Sequence, residues 1–326
     1  MARARRLGTI TALGAAMAVA VGSAAATKPG SPASAAAQAR ADGGTRIPVA
    51  GLAGSLQNPC FSPDSTRIAL TRWPRRYNKG RASVHVAELE SGKVLARLSP
   101  RGATGVNLPG TCWNAASDRI VFSLERDAPD WPYSAGSGGQ DLRRLVELPG
   151  RIAIEPSFAP DGQRIVFEVS KYDADGNGSI YVANVDGTGI RRLTRSADDR
   201  QPNWSPTGDR IVFQRRRGDA WDAWTIRPDG AELRNVTRTR RVSETDVAWA
   251  PDGRRLVFSS DAYDGQIAAL VVMGASGGSR TRVTRARGWY DGAPSWSPDG
   301  ATIAFEARRG EPDGSPGTRL YRIAAP

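Results

Sequence analysis

Along most of the chain, short apolar runs alternate with polar turns at a regular spacing. The unit is clearest in "PSFAPDGQRIVF", "PNWSPTGDRIVF", "VAWAPDGRRLVF" and "PSWSPDGATIAF". "PCFSPDSTRIAL" is a further copy, and "TCWNAASDRIVF" is one with a degenerate turn. The anchoring aromatics are Phe61, Trp113, Phe158, Trp204, Trp249 and Trp296, spaced 52, 45, 46, 45 and 47 residues apart. In each copy the aromatic closes a short strand. Ser/Ala-Pro-Asp-Gly then makes a tight turn: proline presets φ, aspartate binds the local backbone, and glycine accepts positive φ. An apolar triplet such as Ile165-Val166-Phe167 follows, which predicts a strand buried on both faces. A third strand, such as residues 179–185, and an outer one, such as residues 190–195, complete the unit. Four strands in about 45 residues is the period of a propeller blade. No 3.6-residue amphipathicity supports a helical solenoid of similar period.

The pattern predicts an all-β, six-bladed β-propeller with four-stranded blades, spanning residues 45–326. From Trp296 to the last residue there are 30 residues, too few for a full repeat. The missing outer strand of the last blade is expected from the N-terminal side, at residues 45–51, so that the two ends close the ring. Pro48 suits such an edge strand, since proline is tolerated there and not in a central one.

The segments "SPDGATIAF" (residues 297–305) and "DGTGIRRLT" (residues 186–194) resemble the TolB-type six-bladed β-propeller repeats, and the resemblance covers residues 45–326. The same repeat occurs in propellers attached to prolyl-oligopeptidase-like hydrolases. TolB itself carries an α/β domain ahead of its propeller. Here only the leader and a linker precede Thr45, so the resemblance implies a stand-alone propeller without that domain rather than a Tol-Pal component.

Composition narrows the chemistry. There are 45 basic and 33 acidic residues, a formal charge of +12, two cysteines and a single histidine, His85. A Ser-His-Asp hydrolase would have to use His85, and a His-rich or Cys-type zinc site is excluded. The G-x-S-x-G match at residues 274–278 falls at a turn between repeat strands and not at a strand-to-helix elbow. Residues 1–26 read as a cleaved secretory signal: Arg3, Arg5 and Arg6, an apolar run over residues 10–21, then small residues. That run is well short of the roughly 20 residues that span a bilayer, so no stable membrane span is expected. Residues 27–44 read as a flexible linker. The expected mature protein is secreted, extracellular or periplasmic.

Topology places the Ser/Ala-Pro-Asp-Gly turns on one face and the long, irregular hairpins and blade crossings on the other. Variable loops on a rigid scaffold commonly carry function. The long-loop face offers Arg75, Arg76, Tyr77, Tyr172, Arg215, Arg216, Arg217, Trp221, Trp224, Trp289, Tyr290, Arg308 and Arg309 as candidate binding residues. Arginine with aromatics is the composition of interface anchors. Acidic residues interleave with them, which weakens any single-sign field. Nucleic acid is not an expected partner. "DADGNG" places Asp173, Asp175 and Asn177 at alternate positions of a weak calcium-loop pattern, equally a hairpin turn. Cys60 and Cys112 each precede an anchoring aromatic in neighbouring blades; export favours a disulfide between them, while their repeat-equivalent orientation opposes it. His85 sits in a third strand and reads as structural.

The reading is a secreted, non-catalytic module that binds a protein or cell-envelope ligand, monomeric and without a cofactor. The alternatives are a channel-mouth glycan lyase or hydrolase, with Glu155 and Asp246 as candidates, or a structural component of an envelope complex.

Overall fold

The computed structural model describes residues 40–326 apart from 104–111, 117, 126–128, 172–176, 196–197, 264–266 and 311–316. Six sheets arranged as blades make a six-bladed β-propeller. Blade one is built from Ser55–Phe61, Arg67–Trp73, Ser83–Glu88 and Val94–Arg97. Blade three (Arg151–Phe158 to Arg191–Arg192), blade four (Asp199–Trp204 to Arg234–Asn235) and blade five (Glu244–Trp249 to Arg280–Arg282) repeat this order. In blade two, Arg119–Leu124, Trp131–Gly136 and Arg143–Arg144 form the sheet, and Trp113 bridges Ile120 in the place of an inner strand. Blade six contains Trp289–Trp296, Thr302–Arg309 and Arg319–Ala324, and its fourth strand is Thr45–Arg46 from the N-terminal side.

That fourth strand closes the ring as the repeat arithmetic requires, but over a shorter length. Thr45 and Arg46 pair with Arg322 and Tyr321. Ile47 donates its N–H to Leu320 at 2.9 Å, and by Ala50 the chain has already turned to Gly92 of blade one. Pro48 interrupts the ladder between them because it has no N–H to give. Residues 40–44, expected as the end of a linker, are docked on blade six, with Arg40 buried.

The repeat motif has a physical reading throughout. The last residue of each apolar triplet, Leu70, Phe122, Phe167, Phe213, Phe258 and Phe305, is 0% exposed. Each such side chain contributes roughly 1.5–3 kcal/mol of burial. In the turns, the hydroxyls of Ser62, Ser205 and Ser297 accept the N–H of Arg67, Arg210 and Thr302 at 2.9–3.0 Å. The arginine that starts the second strand reaches the next blade: Arg67 lies over Trp113, Arg164 over Trp204 and Arg255 over Trp296, at 4.8–4.9 Å.

The outer strands are shorter than the sequence pattern suggests, mostly two residues. Their ladders stop because a hydroxyl takes over. Ser99, Thr194, Thr237 and Thr284 accept the third-strand N–H of Val84, Ile180, Ala223 and Leu270. A short edge strand also offers little template for pairing with another chain.

Candidate functional site at the channel mouth

The inner strands share a local distortion. In each described blade with a full inner strand, the residue three before the aromatic adopts positive φ: Asn58, Glu155, Gln201, Asp246 and Ala293, at 45–54°. The ladder to the second strand slips at this point. Such a bulge frees a backbone N–H. Here it crosses to the preceding blade. Asn58 N–H donates to Glu306 Oε2 (3.1 Å), Glu155 N–H to Ser123 Oγ (2.8 Å) and Asp246 N–H to Gln214 Oε1 (3.1 Å). Gln201 N–H donates to Glu168. The acceptors are all the residue after the apolar triplet. Ser259, in the same position in blade five, does not receive the next blade's N–H; Asp246 Oδ2 accepts it from Ala293 (3.2 Å) instead.

This stitching gathers four carboxylates near the channel. Burial, reinforced by Asp246, pushes Glu155 up to about 7 and Glu306 up to about 8. Burial together with Glu155 raises Glu168 well above the usual carboxylate range, and burial raises Asp246. Desolvation and like charges both disfavour ionisation. The sequence singles out Glu155 and Asp246 but not Glu168 and Glu306. The available signal was the polar residue that follows each apolar triplet.

Three of the thirteen candidate binding residues meet at one point. Arg308, on the second strand of blade six, lies with its guanidinium carbon 4.2 Å from the ring centre of Tyr290 and 4.7 Å from that of Tyr77. Tyr290 comes from the inner strand of the same blade and Tyr77 from the hairpin of blade one. Their rings meet edge to face at 6.4 Å. Tyr290 is opposite Arg308 in the ladder, whereas Trp296 is opposite Ile303 at the turn end, so the stack is at the long-loop mouth. Gly292 makes room for it: a Cβ there would lie 2.5 Å from the Tyr290 hydroxyl. Burial raises the phenols of Tyr77 and Tyr290, which stay neutral.

The other candidates are engaged elsewhere or exposed. Arg215 makes a two-pronged ion pair with Asp199 (2.6 and 2.9 Å) and stacks on Trp224. Trp221 lies under Arg200, and Trp289 under Arg40. Arg217 reaches Asp222 at 3.1 Å and lines an open cleft of about 630 Å³ with Thr239, Arg240 and Arg241. Arg75, Arg76, Arg216 and Arg309 are exposed. Tyr172, Asp173 and Asp175 lie outside the described residues, and Asn177 sits at φ 70°. His85 is buried against Ser83, and burial with Arg97 and Arg72 nearby lowers it to about 4. Cys60 and Cys112 are joined by a disulfide with Cα atoms 6.2 Å apart. In a six-membered ring, equivalent neighbours are as far from the axis as from each other, so these inner strands run close to it.

Fold and repeat together define a six-bladed propeller whose channel mouth is lined by acids and an arginine–tyrosine stack. The chain belongs to the family described as the TolB beta propeller domain, whose model matches residues 31–263. A TolB homologue from Chlorobium luteolum is 31% identical over 144 residues, 44% of this chain. The match spans about a third (32%) of that relative's length. Among solved structures, one described as a TolB from Agrobacterium tumefaciens superposes with a TM-score of 0.60 at 19% identity, covering 83% of this chain and 90% of that one. An oligogalacturonate lyase in complex with manganese gives 0.57 at 15% identity, covering 89% and 95%. At these identities the structural likeness speaks for the fold.

Proposed function

We propose that this protein is an exported, non-catalytic binding module of the periplasm or cell exterior, which holds a protein partner on its long-loop face. One observation carries the reading. Tyr77, Tyr290 and Arg308, scattered through the sequence, are assembled into a single preorganised stack at the channel mouth. Aromatic and arginine anchors of this kind concentrate binding energy. The similarity to TolB proteins supports the same role. The test is capture of partners from the culture supernatant and cell-wall fraction by the tagged mature protein. Arg75→Glu with Arg76→Glu and Arg309→Glu on the loop face should abolish the captured band, and Asp64→Ala with Asp252→Ala on the turn face should spare it. Equal effects from both sets would sink the assignment of the face.

A second reading, a glycan lyase or hydrolase, draws on one observation: Glu155 titrates near neutral pH beside Asp246, as a general acid or base would. Against it, Glu168, Asp246 and Glu306 already serve as acceptors for neighbouring backbone N–H groups. Cleavage of a panel of acidic and neutral glycans, lost in Glu155→Gln, would favour this reading over the first.

A further inference from the structure

We propose that Arg308 is a carboxylate receptor: it takes the side-chain carboxylate of an Asp or Glu on a protein partner that enters the channel mouth from the long-loop face. The proposal rests on the reading of this mouth as a binding site and names the chemistry it recognises.

Arg308 is 4% exposed, and its Nε and Nη1 are buried without an acceptor. Among the described residues its side chain makes no hydrogen bond or ion pair. This is unlike Arg40, Arg200 and Arg215, each of which is tied to an aspartate. A buried charged donor without an acceptor is costly. The surrounding fold nevertheless holds it rigidly, with Tyr290 on one side, Tyr77 on the other, and Gly292 leaving the space for the Tyr290 phenol. An arginine preorganised in this way loses little freedom on binding.

The nearby acids do not satisfy it. Glu306, two residues earlier, accepts the N–H of Asn58, and Asp246 accepts that of Ala293. Burial holds Glu306 up to about 8, so it does not cancel the arginine charge near neutral pH. The planar fork of a guanidinium matches a carboxylate in two parallel bonds. A protein side chain fits better than a sugar acid. Beneath the mouth Glu306, Glu168 and Gln214 are engaged between blades, which leaves fewer partners for the hydroxyls of a sugar ring.

The test uses the full chain and N-acetyl-glutamate amide as probe, followed by NMR of the Arg308 side-chain Nε–H. We expect a saturable shift with a Kd on the order of millimolar, as suits one charged contact. The neutral N-acetyl-glutamine amide should give none. Arg308→Gln should weaken binding at least tenfold by calorimetry. Arg308→Lys, which keeps the charge but not the fork, should weaken it less. Tyr77→Leu removes one wall without touching the charge and should weaken it too, so the proposal does not depend on one variant folding. Equal binding of the glutamine amide, tighter binding of galacturonate or inorganic phosphate, or unchanged affinity in the folded Arg308 variants would each overturn it. Partner capture that survives Arg308→Gln would remove this proposal and leave the binding-module reading standing. Probe binding without any captured partner would leave a carboxylate site at Arg308 but overturn its assignment to a protein partner.

Discussion

Arg40 and Asp291, 251 residues apart, form a two-pronged ion pair at 2.5 and 2.7 Å between the N-terminal segment and the inner strand of blade six. The guanidinium also lies over Trp289, Phe305 and Tyr321, at 4.6, 5.2 and 5.5 Å. Blade four contains the same arrangement from its own residues: Asp199 binds Arg215, which stacks on Phe213 and Trp224. Asp199 and Asp291 each stand five residues before their aromatic. Where blade four has Arg215, however, blade six has Ala307. Arg40 supplies from outside the blade the cation that the repeat position lacks.

Arg40→Ala should therefore destabilise the protein, because it strands a buried carboxylate. Burial opposes the charge on Arg40, but its bonds to Asp291 and Asp42 outweigh this and hold it above its ordinary value. Breaking such a pair from one side costs about 3 kcal/mol. Urea unfolding of the variant, and of a chain beginning at Thr45, should show losses of the same size. A chain beginning at Thr45 with unaltered stability would show that Arg40 does not clasp the ring.

The disulfide makes a second prediction. Cys60 and Cys112 close a loop of 52 residues between neighbouring blades. Closing a loop of that length in the unfolded chain is worth about 4 kcal/mol. Thiol titration of the denatured, unreduced protein should find no free thiol, and reductant should lower the melting temperature. Two free thiols before reduction would refute the bond.

Blade number, turn chemistry and ring closure were legible because a proline-led turn, with aspartate and glycine in most copies, recurs at a fixed place after the aromatic, and the short last repeat demanded a strand from elsewhere. The mouth was legible as a set of residue types but not as a site. Nothing local distinguishes Arg308, left without an acceptor, from Arg215, which has Asp199. Arg40 was not readable at all: it sits in a small-residue stretch, and its partner lies at the far end of the chain. The bulge ring is not legible in the sequence because Asn58, Glu155, Gln201, Asp246 and Ala293 share a backbone conformation but not a side chain.

That ring is testable at Ala293, whose φ of 45° is the least natural for its residue type. Left-handed backbone costs an ordinary residue about 1–2 kcal/mol, and asparagine tolerates it better. Ala293→Asn, which copies Asn58, should stabilise by about 0.5 kcal/mol, while the β-branched Ala293→Val should lose at least about 1 kcal/mol. Indistinguishable unfolding curves for the two variants would mean the bulge is not held in solution.

Glu306 links the same stitching to pH. Burial and Asp246 raise its carboxyl from an ordinary 4.5 to about 8 in the folded protein. Below 4.5 both folded and unfolded chains hold the proton, and this group adds no pH dependence. Between 4.5 and 8 the unfolded chain releases it while the folded one keeps it. Stability therefore falls as pH rises, by at most about 1.4 kcal/mol per unit, and levels off above 8. Glutamine cannot titrate but can still accept the Asn58 N–H, as Gln214 accepts that of Asp246 in blade four. Glu306→Gln should thus be tolerated near pH 5 and should gain on the wild type towards pH 8, which urea unfolding at the two values will read. Parallel pH profiles for the two proteins would show that Glu306 is ionised in the folded state and that the channel acids are more hydrated than their burial implies.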